Sequence, residues 1–124
     1  MPPGDDRPTG YWIRLSAAVG DDPVLQACAL AFMSDAAPSR AARRPHPELA
    51  GDESDRGQFQ GASLDHAVWF HRPSRAEDWH WFDTTSHGLF GGRGVVTGDV
   101  ISEHGVHVAT MAQQVLLRRV RTED

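Results

Sequence analysis

Two polar side chains lie in apolar stretches of the second half of this sequence, where an unpaired polar group would be costly. By strand alternation, Gln113 belongs to a row of apolar residues, Ala109, Met111, Val115 and Leu117. Asp65 shares its predicted face with Ala67 and Trp69, close to where a buried helix would pack. A carboxylate can accept a proton and an amide can orient a hydrogen-bonded partner, so Asp65 is a candidate base and Gln113 a candidate orienting group. The alternatives are a turn-capping carboxylate and a structural amide.

Metal and phosphate chemistry fit the spacing of the other candidates poorly. The chain has 7 histidines, but His66 and His71 lie on one predicted strand with a spacing that points them to opposite faces. Cys28 is the single cysteine, which excludes an intramolecular disulfide and a cysteine pair for zinc. The glycine-rich residues 88–94 lack the Lys-Ser/Thr ending of a phosphate-binding loop and open no helix. We therefore expect a tight turn there, and neither a metal nor a cofactor.

The elements that must position these residues begin with a strand and a helix. Residues 11–15 alternate in the manner of a short strand. Asp22 is a predicted N-cap, and Pro23 suits the first helical position. Residues 24–33 are apolar except for Gln26. A helix that is apolar on all sides is predicted to be buried on all sides, which in so small a chain requires a sheet wrapped around it.

The rest of the chain reads as a loop followed by strands. Residues 38–61 show no periodicity and predict a long mobile loop, and residues 1–10 are predicted to fray. β-like segments then cover residues 62–71, 79–85, 93–102 and 106–118, with a tight hairpin at 103–105. One strand, one buried helix and a run of strands predict a single α+β domain over residues 1–124. This is the plan of a hotdog domain, an antiparallel sheet wrapped around one central helix.

The composition is typical of a globular protein and restricts its partners. Hydrophobic residues make up 40% of the 124 residues, and charged residues 23%. The formal net charge is −5 and no long basic tract is present, which argues against a nucleic-acid partner. The first residues lack a signal-peptide pattern, and no apolar run approaches ~18 residues. We therefore predict a cytoplasmic protein that does not insert into membranes.

Several uncommon short motifs follow one another between Leu64 and Arg118. They are LDHAVWFHRP at 64–73, DW at 78–79, GGRG at 91–94 and DVISEHGVHVATMAQQVLLR at 99–118. In sequence and order these motifs resemble the second half of the acyl-CoA thioesterase II family. The segment DDPVLQACALAFMSD at 21–35 is more weakly similar to the central helix of that family. Family enzymes join two hotdog halves, and this sequence matches only the second.

The resemblance implies hydrolysis of acyl-CoA thioesters to a free acid and CoA without a covalent intermediate. In the family an Asp, a Ser or Thr, and a Gln hold the attacking water. Asp65 aligns with the Asp of the family's LDH motif, and Gln113 aligns with the family's Gln. The resemblance therefore predicts Asp65 as the base and Gln113 as a residue that orients the water. Ungapped counting puts the hydroxyl position on His87, which predicts that an imidazole replaces the hydroxyl. Ser86 and Thr85 are alternatives, because a small shift would restore a hydroxyl.

Other functions remain open at this stage. A non-catalytic acyl-CoA-binding half, or a remnant that has lost its partner domain, would contain the same motifs. A hotdog hydratase acting on enoyl thioesters is less favoured, because adjacent Asp65 and His66 diverge on a strand. A lone half leaves strand edges unpaired, so we expect a homodimer or a heterodimer with a first-half hotdog domain. The expected small-molecule partner is an acyl-CoA.

Overall fold

The computed structural model describes residues 10–36, 38–43 and 59–119. Its elements are β1 Gly10–Ile13, α1 Pro23–Ser34, α2 Pro38–Arg43, β2 Phe59–Ser63, β3 Ala67–Phe70, β4 His80–Phe90, β5 Arg93–Ser102 and β6 His107–Arg119. All strand pairs are antiparallel, in the order β1-β4-β5-β6-β2, and β3 also pairs with β6. The sheet packs on α1, so the predicted α+β hotdog domain is confirmed.

Helix α1 begins where the sequence predicts, because local chemistry determines its start. The Asp22 side chain accepts a hydrogen bond from Val24 N at 2.9 Å, and Pro23 needs no partner for its nitrogen. One face of α1 buries Ala29, Leu30 and Met33 in a core cluster with strand residues, among them Phe82, Val100, Val108 and Ala109. Burying a Leu or Met side chain contributes about 1.5–3 kcal/mol, so this face holds the helix on the sheet.

The prediction that α1 is buried on all sides is wrong. Val24 is 66% exposed, Leu25 48% and Phe32 76%, and Cys28 is also exposed. The sheet covers only one side of the helix, the side that carries Ala29, Leu30 and Met33. The opposite side is therefore an apolar surface, which we call the outer face of α1.

The predicted loop over residues 38–61 contains regular structure at both of its ends. Helix α2 packs on the sheet through Ala42, which is buried against Val96 and Val115. Strand β2 then begins at residue 59, three residues earlier than the sequence predicts. Small alanine side chains let α2 lie close to the strands, a tertiary effect that sequence periodicity does not reveal. Residues 1–9 and 44–58 lie outside the described residues.

The first predicted strand after the loop, residues 62–71, is in fact two strands. β2 and β3 both pair with β6, and residues 64–66 leave the ladder between them. The two tight turns are confirmed. Gly91 and Gly92 take φ values of 60° and 73° between β4 and β5, and Gly105 takes 80° between β5 and β6. Glycine tolerates these left-handed conformations without a steric cost.

Candidate functional site

The side of the sheet that faces the helices carries a row of three residues in register. Ser86 on β4 pairs with Val96 on β5, which pairs with Gln113 on β6. Residues paired directly across antiparallel strands point to the same face. Gln113 is 2% exposed, as the apolar row around it predicts. A buried amide must find hydrogen-bond partners, and the partners of Gln113 define the candidate site.

The amide of Gln113 is hydrogen-bonded on both sides by other side chains. Gln113 Nε2 donates to Ser63 Oγ at 2.6 Å, and Ser63 Oγ donates to Asp35 Oδ1 at 3.1 Å. On the other side, Gln113 Oε1 lies 2.6 Å from His66 Nδ1, and His66 Nε2 lies 2.7 Å from Ser34 Oγ. We call these five residues the Gln113 network.

Three structural features bring the Gln113 network together. Ser34 is the last residue of α1, and Asp35 is its C-cap. Ser63 ends β2 and His66 precedes β3, so the break between these strands turns both side chains toward β6. Asp35 is exposed whereas Ser34 and Gln113 are buried. The network therefore runs from the protein interior to a carboxylate that solvent or a ligand can reach.

Asp65 lies in the same break but makes a different contact. Its Oδ1 accepts a hydrogen bond from Gln114 N at 2.7 Å, and Leu64 N donates to Gln114 O at 2.9 Å. The carboxylate thus replaces a ladder partner where β2 and β3 separate. The expectation that the Asp65 face lies close to the buried helix is wrong, because Trp69 on that face is 54% exposed while Val68 on the opposite face packs on the core with α1. Among the described residues, no hydrogen bond joins Asp65 to Gln113.

His87 lies on the opposite side of the sheet from Gln113. Its side chain is exposed, and Nε2 lies 2.7 Å from Thr97 Oγ1. It lines an open concavity of about 480 Å³ on that outer surface, together with Phe90, Arg93 and Gln114. The side chain of Thr85 is also exposed, whereas Ser86 shares the face of Gln113. The structure therefore does not bring His87 together with Gln113.

Two buried hydroxyl oxygens near the helix-facing side have no hydrogen-bond partner within the described part of the chain, Tyr11 Oη and Ser86 Oγ. The Tyr11 ring stacks on Phe82, with centroids 5.5 Å apart. Burial, reinforced by the charge of Asp35, raises the pKa of Tyr11 to about 12. Tyr11 therefore stays neutral near Asp35 and keeps its proton as a hydrogen-bond donor.

One group among the described residues has metal-ligand atoms within 4.8 Å of one another, Asp78, Glu103 and His104. It shares no residue with the Gln113 network, and two of its three side chains are exposed. Exposed acidic groups of this kind are common without an ion, so we assign it no metal. Within the residues that the structure describes, no helix is long and apolar enough to cross a membrane.

The fold agrees with comparisons to known proteins. The family described as acyl-CoA thioesterase C-terminal domain matches residues 1–117. The chain belongs to this family. It is 33% identical over 111 residues to acyl-CoA thioesterase 2 of Haemophilus influenzae, covering 86% of this chain and 36% of that protein. It is also 33% identical to human acyl-coenzyme A thioesterase 8 over 109 residues, covering 87% of this chain and 32% of that protein.

Solved structures extend the likeness to the backbone. The crystal structure of an acyl-CoA thioesterase II from Mycobacterium marinum is 38% identical, with a TM-score of 0.77, over 90% of this chain and 41% of that one. A DHNA-CoA thioesterase from Staphylococcus aureus has a TM-score of 0.65 at 14% identity over 89% of this chain and 73% of that one, which shows the fold alone. The chain thus spans about two fifths of the M. marinum protein and less of the curated relatives.

Proposed function

We propose that this domain takes part in the hydrolysis of acyl-CoA thioesters, with the attacking water held by Asp35, Ser63 and Gln113. The observation that carries the proposal is the pair of hydrogen bonds from Gln113 Nε2 to Ser63 Oγ (2.6 Å) and from Ser63 Oγ to Asp35 Oδ1 (3.1 Å). They join an Asp, a Ser and a Gln, the residue types that the family resemblance implies. Asp35 takes the role predicted for Asp65, and Ser63 the role predicted for His87.

The chemistry follows from the groups present. The exposed Asp35 carboxylate accepts a proton from water as the water oxygen attacks the thioester carbonyl carbon. Ser63 and Gln113 orient that water, which lowers the entropic cost of the attack. The carbonyl reforms as the carbon–sulfur bond breaks, and the departing CoA sulfur takes up a proton. The products are a free acid and CoA, and no covalent bond to the protein is formed.

Two features support Asp35 rather than Asp65 as the base. The Asp65 carboxylate already accepts a backbone N–H where β2 and β3 separate, which gives it a structural role. Asp35 is linked through Ser63 to Gln113, the one residue of the predicted site whose burial follows from the sequence pattern. His87 is hydrogen-bonded to Thr97 on the outer surface of the sheet. It therefore lies on the opposite side from Gln113 and does not share a water with it in this proposal.

In this proposal a second hotdog domain pairs with this one. It is either a second copy of this chain or a first-half hotdog domain. The outer face of α1 supports it, because Val24 and Phe32 are more than half exposed, which is unusual for apolar residues at helical spacing in a monomer. Phe32 lies three residues before Asp35, so a domain seated there would also border the candidate site. The expected cytoplasmic location stays a prediction.

The test of this function is free-thiol release from acyl-CoA esters of several chain lengths, using the protein in the assembly in which it is purified. Wild type should release thiol, Ser63→Ala should lose most of the rate, and His87→Ala should keep it. Equal loss in both variants, or loss only in His87→Ala, would contradict the assignment. Binding of an acyl-CoA without thiol release would favour the alternative of a non-catalytic binding domain.

The assembly is tested separately by light scattering at micromolar concentration. A chain of 13.6 kDa that covers its outer face with a second hotdog domain should scatter as a dimer or larger assembly. Phe32→Asp should weaken that assembly, because it places a charge in an apolar interface. A well-folded species of 13.6 kDa would contradict the expected partner.

A further inference from the structure

The Gln113 network contains two residues that the proposed reaction does not use, His66 and Ser34. His66 Nδ1 lies 2.6 Å from Gln113 Oε1, and His66 Nε2 lies 2.7 Å from Ser34 Oγ. Both distances are short for hydrogen bonds that involve a ring nitrogen. The imidazole is therefore held at both nitrogens, between a buried helix end and the amide that orients the water.

The positions of the protons in this network follow from the donor and acceptor character of each atom. Because Gln113 Nε2 donates to Ser63, its Oε1 faces His66 and can only accept. His66 Nδ1 must therefore carry a proton and donate it. Ser34 is adaptable, since its hydroxyl donates to Ala31 O at 2.7 Å but can rotate to donate to His66 Nε2. In both arrangements of Ser34 the proton on Nδ1 is required.

Reversal of the Gln113 amide would rearrange the whole network. With its oxygen toward Ser63, the amide would take the Ser63 proton that now goes to Asp35. Asp35 would lose its hydrogen bond from Ser63, and Gln113 would offer an acceptor where it now offers a donor. A His66 that donates from Nδ1 excludes this reversed state, because two donors would then face each other.

We propose that His66 is a positioning residue, whose Nδ1–H fixes the Gln113 amide so that Ser63 directs its hydroxyl proton to Asp35. The inference rests on the proposed function, since it assigns His66 a task within the same site. His66 touches neither the water nor the substrate in this account. Its effect reaches the reaction only through Gln113 and Ser63.

Two isosteric variants separate positioning from simple packing. The side-chain nitrogen of Asn can occupy the place of Nδ1, whereas that of Gln reaches the place of Nε2. His66→Asn therefore keeps the donor to Gln113, and His66→Gln keeps only a contact toward Ser34. His66→Ala removes both contacts and provides the reference for the loss.

Steady-state thiol release gives the first readout, with kcat and KM measured separately. His66→Ala should lower kcat by about 10²-fold, the size expected when a reacting group is misplaced, with little change in KM. His66→Asn should recover most of that loss, and His66→Gln should not. Wild-type kcat in His66→Ala, or equal recovery by Asn and Gln, would overturn the inference while leaving the proposed function intact.

Nitrogen-15 NMR of the imidazole gives a readout that needs no turnover. The expected result for His66 is a protonated Nδ1, and in Gln113→Leu this preference should be lost. A neutral ring with its proton only on Nε2 in wild type would overturn the inference by itself. An active wild type that is unaffected by Ser63→Ala would instead remove the proposed function, and the NMR result would still report the ring's proton.

Discussion

Two buried glutamines, one near each end of helix α1, find hydrogen-bond partners of contrasting kinds. Gln26 is 5% exposed, and its amide bonds to two backbone groups as well as to the Glu77 carboxylate, whose oxygens lie 3.1 Å from Nε2. Its Nε2 donates to Gly20 O at 2.8 Å, and its Oε1 accepts from Ala76 N at 2.7 Å. Gln113 is 2% exposed, and its amide bonds to the side chains of Ser63 and His66.

In the proposed function, this difference separates a structural amide, Gln26, from an amide that orients the water, Gln113. Backbone partners move only when the fold moves, so Gln26 fixes the segments before α1 and before β4. Glu77 takes part in the same set of hydrogen bonds. A hydrogen bond from Val19 N, with a further one from Gln26, holds the pKa of Glu77 below its ordinary value. Side-chain partners can instead rotate, and those of Gln113 lead to the exposed carboxylate of Asp35, where a water can enter the network.

The largest contrast should appear when each amide is removed. Gln113→Ala should lower kcat by roughly 10²–10³-fold, as expected for loss of one positioned donor. Gln26→Ala should leave kcat unchanged but lower the free energy of unfolding by about 1–3 kcal/mol, because Ala76 N and Gly20 O lose their partner. Thiol-release kinetics and urea unfolding of both variants check this. A large kcat loss in Gln26→Ala would contradict the division between the two networks.

A smaller effect is expected at Tyr11, whose buried hydroxyl lies near Asp35 without a hydrogen bond to a described residue. Tyr11→Phe should raise the free energy of unfolding by about 1 kcal/mol at neutral pH, since an unpaired buried hydroxyl is costly. Tyr11 is the single tyrosine, so alkaline absorbance titrates it directly. Its raised pKa of about 12 means that wild-type stability falls as pH rises above 10. A midpoint near 10 in the folded protein would contradict its burial.

The smallest effect is a pH slope from His80. This side chain is fully buried, its Nδ1 donates to Asp78 O at 2.8 Å, and Ser74 Oγ lies 2.7 Å from Nε2. Burial lowers the pKa of His80 below 6.5, although the Asp78 carbonyl opposes the shift. The unfolded chain then binds a proton before the folded one, so this contribution is complete above pH 6.5 and is lost as pH falls below it.

The His80 slope can be isolated with matched variants. His80→Gln removes the titrating group, so its free energy of unfolding should fall less steeply than that of wild type between pH 6.5 and pH 5. Thr85→Val, at an exposed position without a titrating group, should keep the wild-type slope. Identical slopes in wild type and His80→Gln would contradict the assignment.

The sequence predicts features that depend on near neighbours. Asp22 and Pro23 determine the start of α1, glycines mark both tight hairpins, and alternation alone places Gln113 in the interior. The outer face of α1 is not predictable in this way, because helix burial depends on how far the sheet extends. The direction of Asp65 fails for another reason: alternation correctly groups it with Trp69, but that face points away from α1, whereas Val68 on the opposite face packs on the core.

The rest of the candidate site depends on contacts between distant parts of the chain. Asp35 and Ser63 are 28 residues apart, and they meet only because α1 ends above the gap between β2 and β3. A carboxylate at a helix end has the same local sequence whether it caps the helix or acts as a base. One signal was available: the phase of β4, in which Phe82 and Thr84 face inward, places Ser86 inward and His87 outward.

The most direct test of the account compares two carboxylates by the same substitution. Asn keeps the shape of each side chain and can still accept the hydrogen bond that Asp65 receives from Gln114 N. Asp35→Asn should lower kcat for acyl-CoA hydrolysis by about 10²–10⁴-fold, the usual cost of losing a general base, while Asp65→Asn stays near wild type. A wild-type rate in Asp35→Asn together with a large loss in Asp65→Asn would contradict the account and restore Asp65 as the base.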